Sequence, residues 1–311
     1  MNINSSIYVA GGNTLIGAAI QRTLEKAGYC NTFSEKGEDL KNVTQIDTLF
    51  RERKPEFVFL AAGKTGGIAA NMKYPAELML DNLLIACNII ECAHRHGVKK
   101  LLYLASSCSY PRDCAQPMRE ESLLTGLLEP TNEAYAVAKI AGIKLCQAYR
   151  SQYGSNFIIG IPANAFGPGD DFSEEDSHVV AALIRKMHEA KVNNGKQVEV
   201  WGTGNPQREF IFIDDLADAC LFIMNNYDTP EPINLGSGMA FSIRDVAKTI
   251  REVVEFNGVI VYDTSKPDGM PTKCLDNSRI RHLGWLPHRS LKESINLTYN
   301  WYIEELRLKL L

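Results

Sequence analysis

At 311 residues, with 45% hydrophobic and 23% charged side chains, the chain has the length and composition of one large α/β domain or a domain carrying a lobe. A formal net charge of −4 without any lysine- or arginine-rich tract argues against nucleic acid or an anionic membrane as partner, while a local basic pocket for a phosphate stays open. No apolar run approaches the roughly 18 residues of a membrane span, and the eight cysteines (30, 87, 92, 108, 114, 146, 220, 274) lack metal-site spacing. They read as reduced, buried thiols, and no metal is expected. The start Met-Asn-Ile-Asn-Ser-Ser runs straight into a strand with no signal-peptide pattern, so the expectation is a soluble cytoplasmic protein.

In chain order, the apolar run 7–10 is followed by Gly11-Gly-Asn-Thr-Leu-Ile-Gly17 and a helical pattern over 18–27. Strand, glycine turn and helix together form a dinucleotide-binding context, in which a pyrophosphate sits on the helix N-terminus. Thr14 stands where a middle glycine is expected, and its β-branched side chain is expected to obstruct close backbone approach. An ordinary strand-to-helix turn is the alternative. A second strand is predicted over 29–33, followed by Ser34-Glu35-Lys36-Gly37 and Asp39-Leu40. Residues just past this strand choose between a ribose 2′-hydroxyl and a 2′-phosphate. Lys36 would pair with a phosphate and Glu35 would repel one, with a lean toward the phosphorylated cofactor.

Strands are also predicted at 56–60, followed by small residues 61–67, at 100–104 and at 157–161. Helices are predicted over 75–96 and from the 130–135 loop to 153. Regular strand–helix alternation predicts a parallel, doubly wound sheet. From Pro162 to Phe172 the chain reads as loop. Beyond it come a helix at 178–191, strands at 198–201 and 208–213, and a helix at 216–224 capped by Asp215. Short strands at 233–235 and 258–262 flank a helix at 243–256. A turn at 266–269 and an amphipathic helix at 291–308, with Trp301 packed, complete the chain. There is no linker, so the second lobe is expected to be threaded into the first.

The chemistry centres on Ala105-Ser106-Ser107-Cys108-Ser109-Tyr110-Pro111 at the end of strand 100–104, and on Tyr135-Ala-Val-Ala-Lys139. Four residues apart on a helix, Tyr135 and Lys139 share a face. A serine hydroxyl and a phenol aimed at one carbonyl oxygen, beside an ammonium that stabilises phenolate, are the proton-handling set of a hydride-transfer enzyme. Tyr-x-x-x-Lys alone is weak. Its strength here lies in the chain order of glycine turn, serine-bearing strand end, then Tyr and Lys.

These residues, with the stretches 128–146 and 200–206, Arg208-Glu-Phe210 and Ser265-Lys-Pro-Asp-Gly269, resemble the extended short-chain dehydrogenase/reductase family over nearly the whole chain. The resemblance implies a Rossmann-type doubly wound parallel sheet with a smaller, interleaved C-terminal substrate-binding lobe. Residues 1–170 with about 211–240 would form the cofactor domain, and 171–210 with 241–311 the sugar-nucleotide lobe. It implies NADP(H), with NAD(H) as the alternative, and a GDP-4-keto-6-deoxy sugar that is epimerised at C3 and C5 and reduced at C4. Tyr135 would be the acid for reduction, Lys139 would hold the nicotinamide ribose, and Ser106 would polarise the C4 oxygen. Cys108 and His178 would move the C3 and C5 protons, chemistry open to a thiolate or imidazole beside a ketone.

By the same resemblance, Gly11, Asn13, Thr14, Leu15, Ile16, Gly17, Lys36, Leu40, Ala61, Pro162, Asn164 and His178 join Tyr135 and Lys139 at the cofactor. Asn164, Lys186, Trp201, Arg208, Lys266 and Asp268 would meet the sugar nucleotide, with Trp201 as plain core the alternative. Lys186 stands where arginine is common and loses its bidentate fork, and Ala163 stands where the family has threonine. A homodimer through a four-helix bundle of the 75–96 and 135–153 helices is implied. Two other readings stay open: a 4-reductase without epimerisation on a related GDP-sugar or heptose, and a non-catalytic dinucleotide sensor.

Overall fold

Strands covered by helices on both faces must be apolar throughout, and the runs 7–10, 58–60, 101–104 and 157–161 are fully buried. The computed structural model describes all residues except 175, 176, 267 and 309–311. In chain order it begins β1 (Ile7–Ala10), α1 (Leu15–Lys26), β2 (Thr32–Phe33), α2 (Val43–Arg53), β3 (Phe57–Leu60), α3 (Ile68–Lys73), α4 (Pro75–Arg95) and β4 (Lys100–Leu104). There follow α5 (Glu133–Tyr153), β5 (Phe157–Pro162), β6 (Asn164–Phe166), α6 (Val179–Val192), β7 (Gln197–Trp201), β8 (Gln207–Phe212) and α7 (Ile213–Asn226). The chain ends with β9 (Ile233–Leu235), β10 (Ala240–Ser242), α8 (Ile243–Val254), β11 (Val259–Asp263), β12 (Thr272–Lys273), α9 (Ser278–His282) and α10 (Leu291–Leu308).

The main sheet is parallel, in the order β2-β1-β3-β4-β5-β9. The chain winds outward from β1 to β2 and then, beginning at β3, in the other direction. The crevice outside the strand ends at this reversal is where open α/β sheets bind ligands. A second hydrophobic cluster, including Phe166, Ile184, Phe210, Ile250 and Ile295, is built by α6, α8 and α10 around smaller sheets. There β8 takes β10 antiparallel and β12 and β6 parallel, while β7 pairs with β11.

Three expectations change. The 162–172 stretch contains a strand, because Asn164–Phe166 pair in parallel with Phe210–Phe212. Three residues among turn-forming neighbours carry no alternation, so the pairing partner alone decides. Asp215 is not a cap: α7 begins at Ile213, and the buried Asp215 carboxylate accepts the His288 and Arg289 N–H groups and pairs with the Arg289 guanidinium at 2.5 Å. It anchors the chain entering α10. All eight cysteines are free, but Cys30 and Cys87 are exposed, so not every thiol is buried. Among the described residues, no helix is long and apolar enough to cross a membrane, and no cluster of metal-ligating side chains occurs.

The helix that carries Tyr135 and Lys139 is seated on β4 by one aromatic ring. The Tyr103 ring lies under α5, its hydroxyl donates to the Lys139 carbonyl at 3.3 Å, and a Cβ on Gly142 would overlap the ring. Close-packed interiors do not absorb such an overlap without strain. Gly142→Ala should therefore lower the unfolding free energy by about 1–3 kcal/mol. The check is the urea unfolding midpoint, which should fall with an unchanged slope.

Candidate active site

At the end of β1 the backbone turns tightly against β3. A Cβ on Gly11 (φ +84°) would lie 2.6 Å from Ala62 Cα, and one on Gly17 would overlap the Gly11 carbonyl. Thr14 does more than occupy a glycine position. Its hydroxyl donates to the Gly11 carbonyl at 2.7 Å and accepts the Gly17 N–H at 3.1 Å, capping α1. A glycine cradle at the switch point, ending in a capped helix N-terminus, fits a dinucleotide pyrophosphate. Asn13 is exposed at its tip, and Leu15 and Ile16 are half-buried behind it.

Glu35, not Lys36, faces the turn. Its carboxylate accepts the Gly11 N–H at 3.0 and 3.2 Å and the Tyr8 hydroxyl at 3.3 Å, and burial raises its carboxyl above the usual range. Lys36 is exposed beyond it. The Leu40 carbonyl accepts the Asn88 amide at 3.0 Å, Ala61 lines the end of β3, and Pro162 is buried at the end of β5.

The chemical side chains converge between the end of β4 and α5. After Leu104 the chain leaves the sheet, Ser106 accepts the Cys108 N–H at 3.2 Å, and a single 3-10 turn places Cys108. Tyr135 and Lys139 are nearly fully buried on the facing helix, with the Lys139 ammonium on the Leu104 carbonyl at 3.2 Å and 5.8 Å from the Tyr135 ring centroid. Burial and the neighbouring Cys108 hold the Tyr135 phenol well above its ordinary value, against the hydrogen bond with Ser106. Tyr135 therefore rests as the proton-bearing acid. Burial lowers Lys139 to about 8, against the charge of Cys108.

Two partners of this set carried no sequence signal. Asn132 Nδ2 and Lys273 Nζ each lie 3.3 Å from the Cys108 sulfur. Burial pushes the thiol up, but the Lys273 charge, with hydrogen bonds from Ser106, Lys273 and Asn132, outweighs it and holds Cys108 below its ordinary value. Asn82, a mere polar break in the α4 pattern, also belongs here. Its Oδ1 is buried without a partner, and a Cβ on Gly63 would lie 2.6 Å from that oxygen and 3.2 Å from Lys139 Nζ. An orphaned acceptor beside a glycine and the lysine is what a bound polar ligand would complete.

His178 is exposed at the N-terminus of α6, within electrostatic reach of the buried Asp170. Burial raises the Asp170 carboxyl to about 6, and one of its oxygens has no partner. The residues expected at the sugar nucleotide fall into two groups. Trp201 is 62% exposed, so it is no core residue, and the Lys186 and Lys266 ammonium groups lie 6.0 and 5.3 Å from its ring centroid. Arg208, Asp268 and Asn164 are engaged with the backbone. Arg208 donates to the Met270 carbonyl, Asp268 accepts the Thr203 N–H and hydroxyl, and Asn164 donates to the Glu209 carbonyl.

A glycine-cradled switch point beside a Ser, Tyr and Lys set defines a nucleotide-dependent enzyme acting at a carbonyl. The sequence pattern of the NAD dependent epimerase/dehydratase family matches residues 7–236, and the chain belongs to that family. Within it, the chain is 50% identical over 305 residues to GDP-L-fucose synthase 1 of Arabidopsis thaliana, covering 97% of this chain and 94% of that one. The fold superposes on a GDP-L-fucose synthetase from Naegleria fowleri bound to NADP with a TM-score of 0.91 and 32% identity, covering 99% of this chain and 95% of that one. A GDP-6-OMe-4-keto-L-xylo-heptose reductase from C. jejuni gives 0.93 and 35% identity, covering 98% and 99%.

The buried Lys139 makes a pH-dependent contribution to stability. Its folded value of about 8 lies below the unfolded value of about 10.4, so between those limits the unfolded chain holds more protons and stability rises with pH. Below about pH 8 the whole penalty stands. Lys139→Met should thus raise the thermal midpoint, and by more at pH 7 than at pH 10.5, as differential scanning fluorimetry at the two pH values would read.

Proposed function

We propose that the chain converts GDP-4-keto-6-deoxy-D-mannose to GDP-L-fucose, as a 3,5-epimerase and NADPH-dependent 4-reductase. The observation that carries this is one cluster holding both a carbon-acid base and a carbonyl acid. Burial pushes the Cys108 thiol up, but the Lys273 charge and three hydrogen bonds hold it below its ordinary value, within the set that also contains Ser106, Tyr135 and Lys139. A reductase alone has no use for an acidified thiol at this place. Gly11, Asn13, Thr14, Leu15, Ile16, Gly17, Lys36, Leu40, Ala61 and Pro162 would hold NADP(H), which when bound supplies the hydride for C4. Residues 1–170 with about 211–240 serve the cofactor. Residues 171–210 and 241–311 serve the sugar nucleotide, through Lys186, Trp201, Lys266, Arg208, Asp268 and Asn164.

For epimerisation, the Cys108 thiolate takes the proton from the carbon beside the ketone, and the electron pair moves onto the C4 oxygen. The Ser106 hydroxyl and the Tyr135 phenol meet that negative oxygen. His178 returns a proton to the opposite face of the carbon. In the reduction, Tyr135 gives its proton to the C4 oxygen, and Lys139 stabilises the phenolate left behind. The second copy docks through α4 and α5, which pack on each other and leave Leu80, Leu84 and Val137 exposed. The reaction is assigned to the cytoplasm, where an unprotected thiolate stays reduced.

A 4-reductase without epimerisation is the second reading. It is favoured by the likeness to a heptose reductase. Deuterium separates the two. With GDP-4-keto-6-deoxy-D-mannose and NADPH in D₂O, the product should carry deuterium at C3 and C5 by NMR, and Cys108→Ser should lose most of it, because a serine hydroxyl is far too weak an acid to stand in for the thiolate. A wild-type product free of deuterium at both carbons would overturn epimerisation and leave the reductase.

Tyr135→Phe should slow NADPH oxidation roughly 10²–10⁴-fold, with the affinity for the GDP-sugar nearly unchanged in a titration. Half of wild-type turnover would remove Tyr135 from the role.

A further inference from the structure

The thiol that takes the carbon proton must itself lose a proton first, and the geometry around the sulfur shows what makes that happen. Lys273 Nζ and Asn132 Nδ2 reach it at 3.3 Å each, and Ser106 adds a hydrogen bond. Each contact offers a donor to the sulfur, the arrangement that suits an anion. Among the described residues, the titratable groups whose charges bear on Cys108 include Lys273 from β12, and Tyr135 and Lys139 from α5. Lys139 is directed elsewhere, onto the Leu104 carbonyl at 3.2 Å and over the Tyr103 ring. That leaves Lys273 as the ammonium in contact with the thiol.

Its backbone is held from both sides. Lys273 is in register with Arg208 on β8, and the next two residues are tied down as well. Cys274 N–H donates to Gln116 Oε1 at 3.0 Å, Leu275 N–H donates to the buried Glu209 carboxylate at 2.6 Å, and the Cys274 carbonyl accepts the Met118 N–H at 2.7 Å. The same β8–β12 pair thus sets Arg208 directly beside the residue whose ammonium reaches the thiol.

We propose that Lys273 is a positioning residue, the counter-ion that keeps Cys108 as a thiolate, so that the strand pair carrying Arg208 also sets the reactivity of the base. The thiolate becomes the thiol when it takes the carbon proton, and regains its charge when that proton leaves. The role in epimerisation rests on the function proposed above, while the ion pair itself is testable without substrate.

The test is the pH profile of iodoacetamide alkylation at Cys108 in the intact protein, read by mass spectrometry of the tryptic peptide 101–112, which contains Cys108 as its sole cysteine. In wild type the midpoint should fall below the ordinary thiol value of about 8.5. In Lys273→Met it should rise by at least about one unit, cutting the rate at pH 7 about tenfold, and Lys273→Arg should recover most of the loss. Deuterium incorporation at C3 and C5 should fall in parallel. If Lys273→Met does not fold, Lys273→Gln is read by the same criterion. A midpoint unchanged in the folded neutral variant, or one that Arg does not recover, overturns the proposal. Wild-type product without deuterium would remove the epimerase reading alone, with the alkylation profile still deciding the role of Lys273.

Discussion

The Tyr103 ring wedged beneath α5 is the contact on which the site depends. It occupies the space a side chain at Gly142 would need, and its hydroxyl holds the carbonyl of Lys139 itself. Its face lies 5.5 Å from the Lys139 ammonium, which also bonds the last carbonyl of β4. Strand and helix are thereby locked in one relative position. Because Ser106 and Cys108 follow β4 directly, their distance from Tyr135 and Lys139 is set by the same lock. Packing at native density transmits such constraints without slack.

The electrostatics of the site follow from two ammonium groups placed differently. Lys139 is buried among rings and a carbonyl and binds its proton weakly, while Lys273 arrives from the other sheet and sits against sulfur. A low dielectric strengthens both effects. It penalises the unpaired charge of Lys139, and it strengthens the pull of the Lys273 side chain on the Cys108 sulfur. The phenol of Tyr135, beside that sulfur, is held in its protonated form. One small region thus moves a thiol down and a phenol up, the two directions that combined carbon-acid and carbonyl chemistry requires.

At the cofactor end, the structure turns an apparent flaw into a function. Thr14, which takes the place of a glycine, caps α1 through its hydroxyl, and the turn keeps its close approaches through Gly11 and Gly17. Glu35 folds inward onto the Gly11 N–H and leaves Lys36 outside. A carboxylate next to the turn bears on how a 2′-phosphate is received, and the order of these two residues in the chain does not show which one faces inward.

Periodicity and turn chemistry were enough to read the alternating strands and helices of the main sheet and the glycine turn, and chain order with helical spacing singled out Ser106, Tyr135 and Lys139 as candidates. Fully buried strands have to be apolar, and two residues four apart on a helix have to share a face. What stayed hidden depended on which distant segments meet. The strand at 164–166 exists because β8 pairs with it, and Asp215 turns to the lead into α10 because Arg289 is there. Trp201 is exposed beside two lysines, although its apolar character suits a core equally well. Lys273 lies 165 residues from the thiol it contacts, and Asn132 lies 24 away. Such contacts leave no periodic mark, because they are fixed by the three-dimensional closure of one sheet upon another and not by any repeat along the chain.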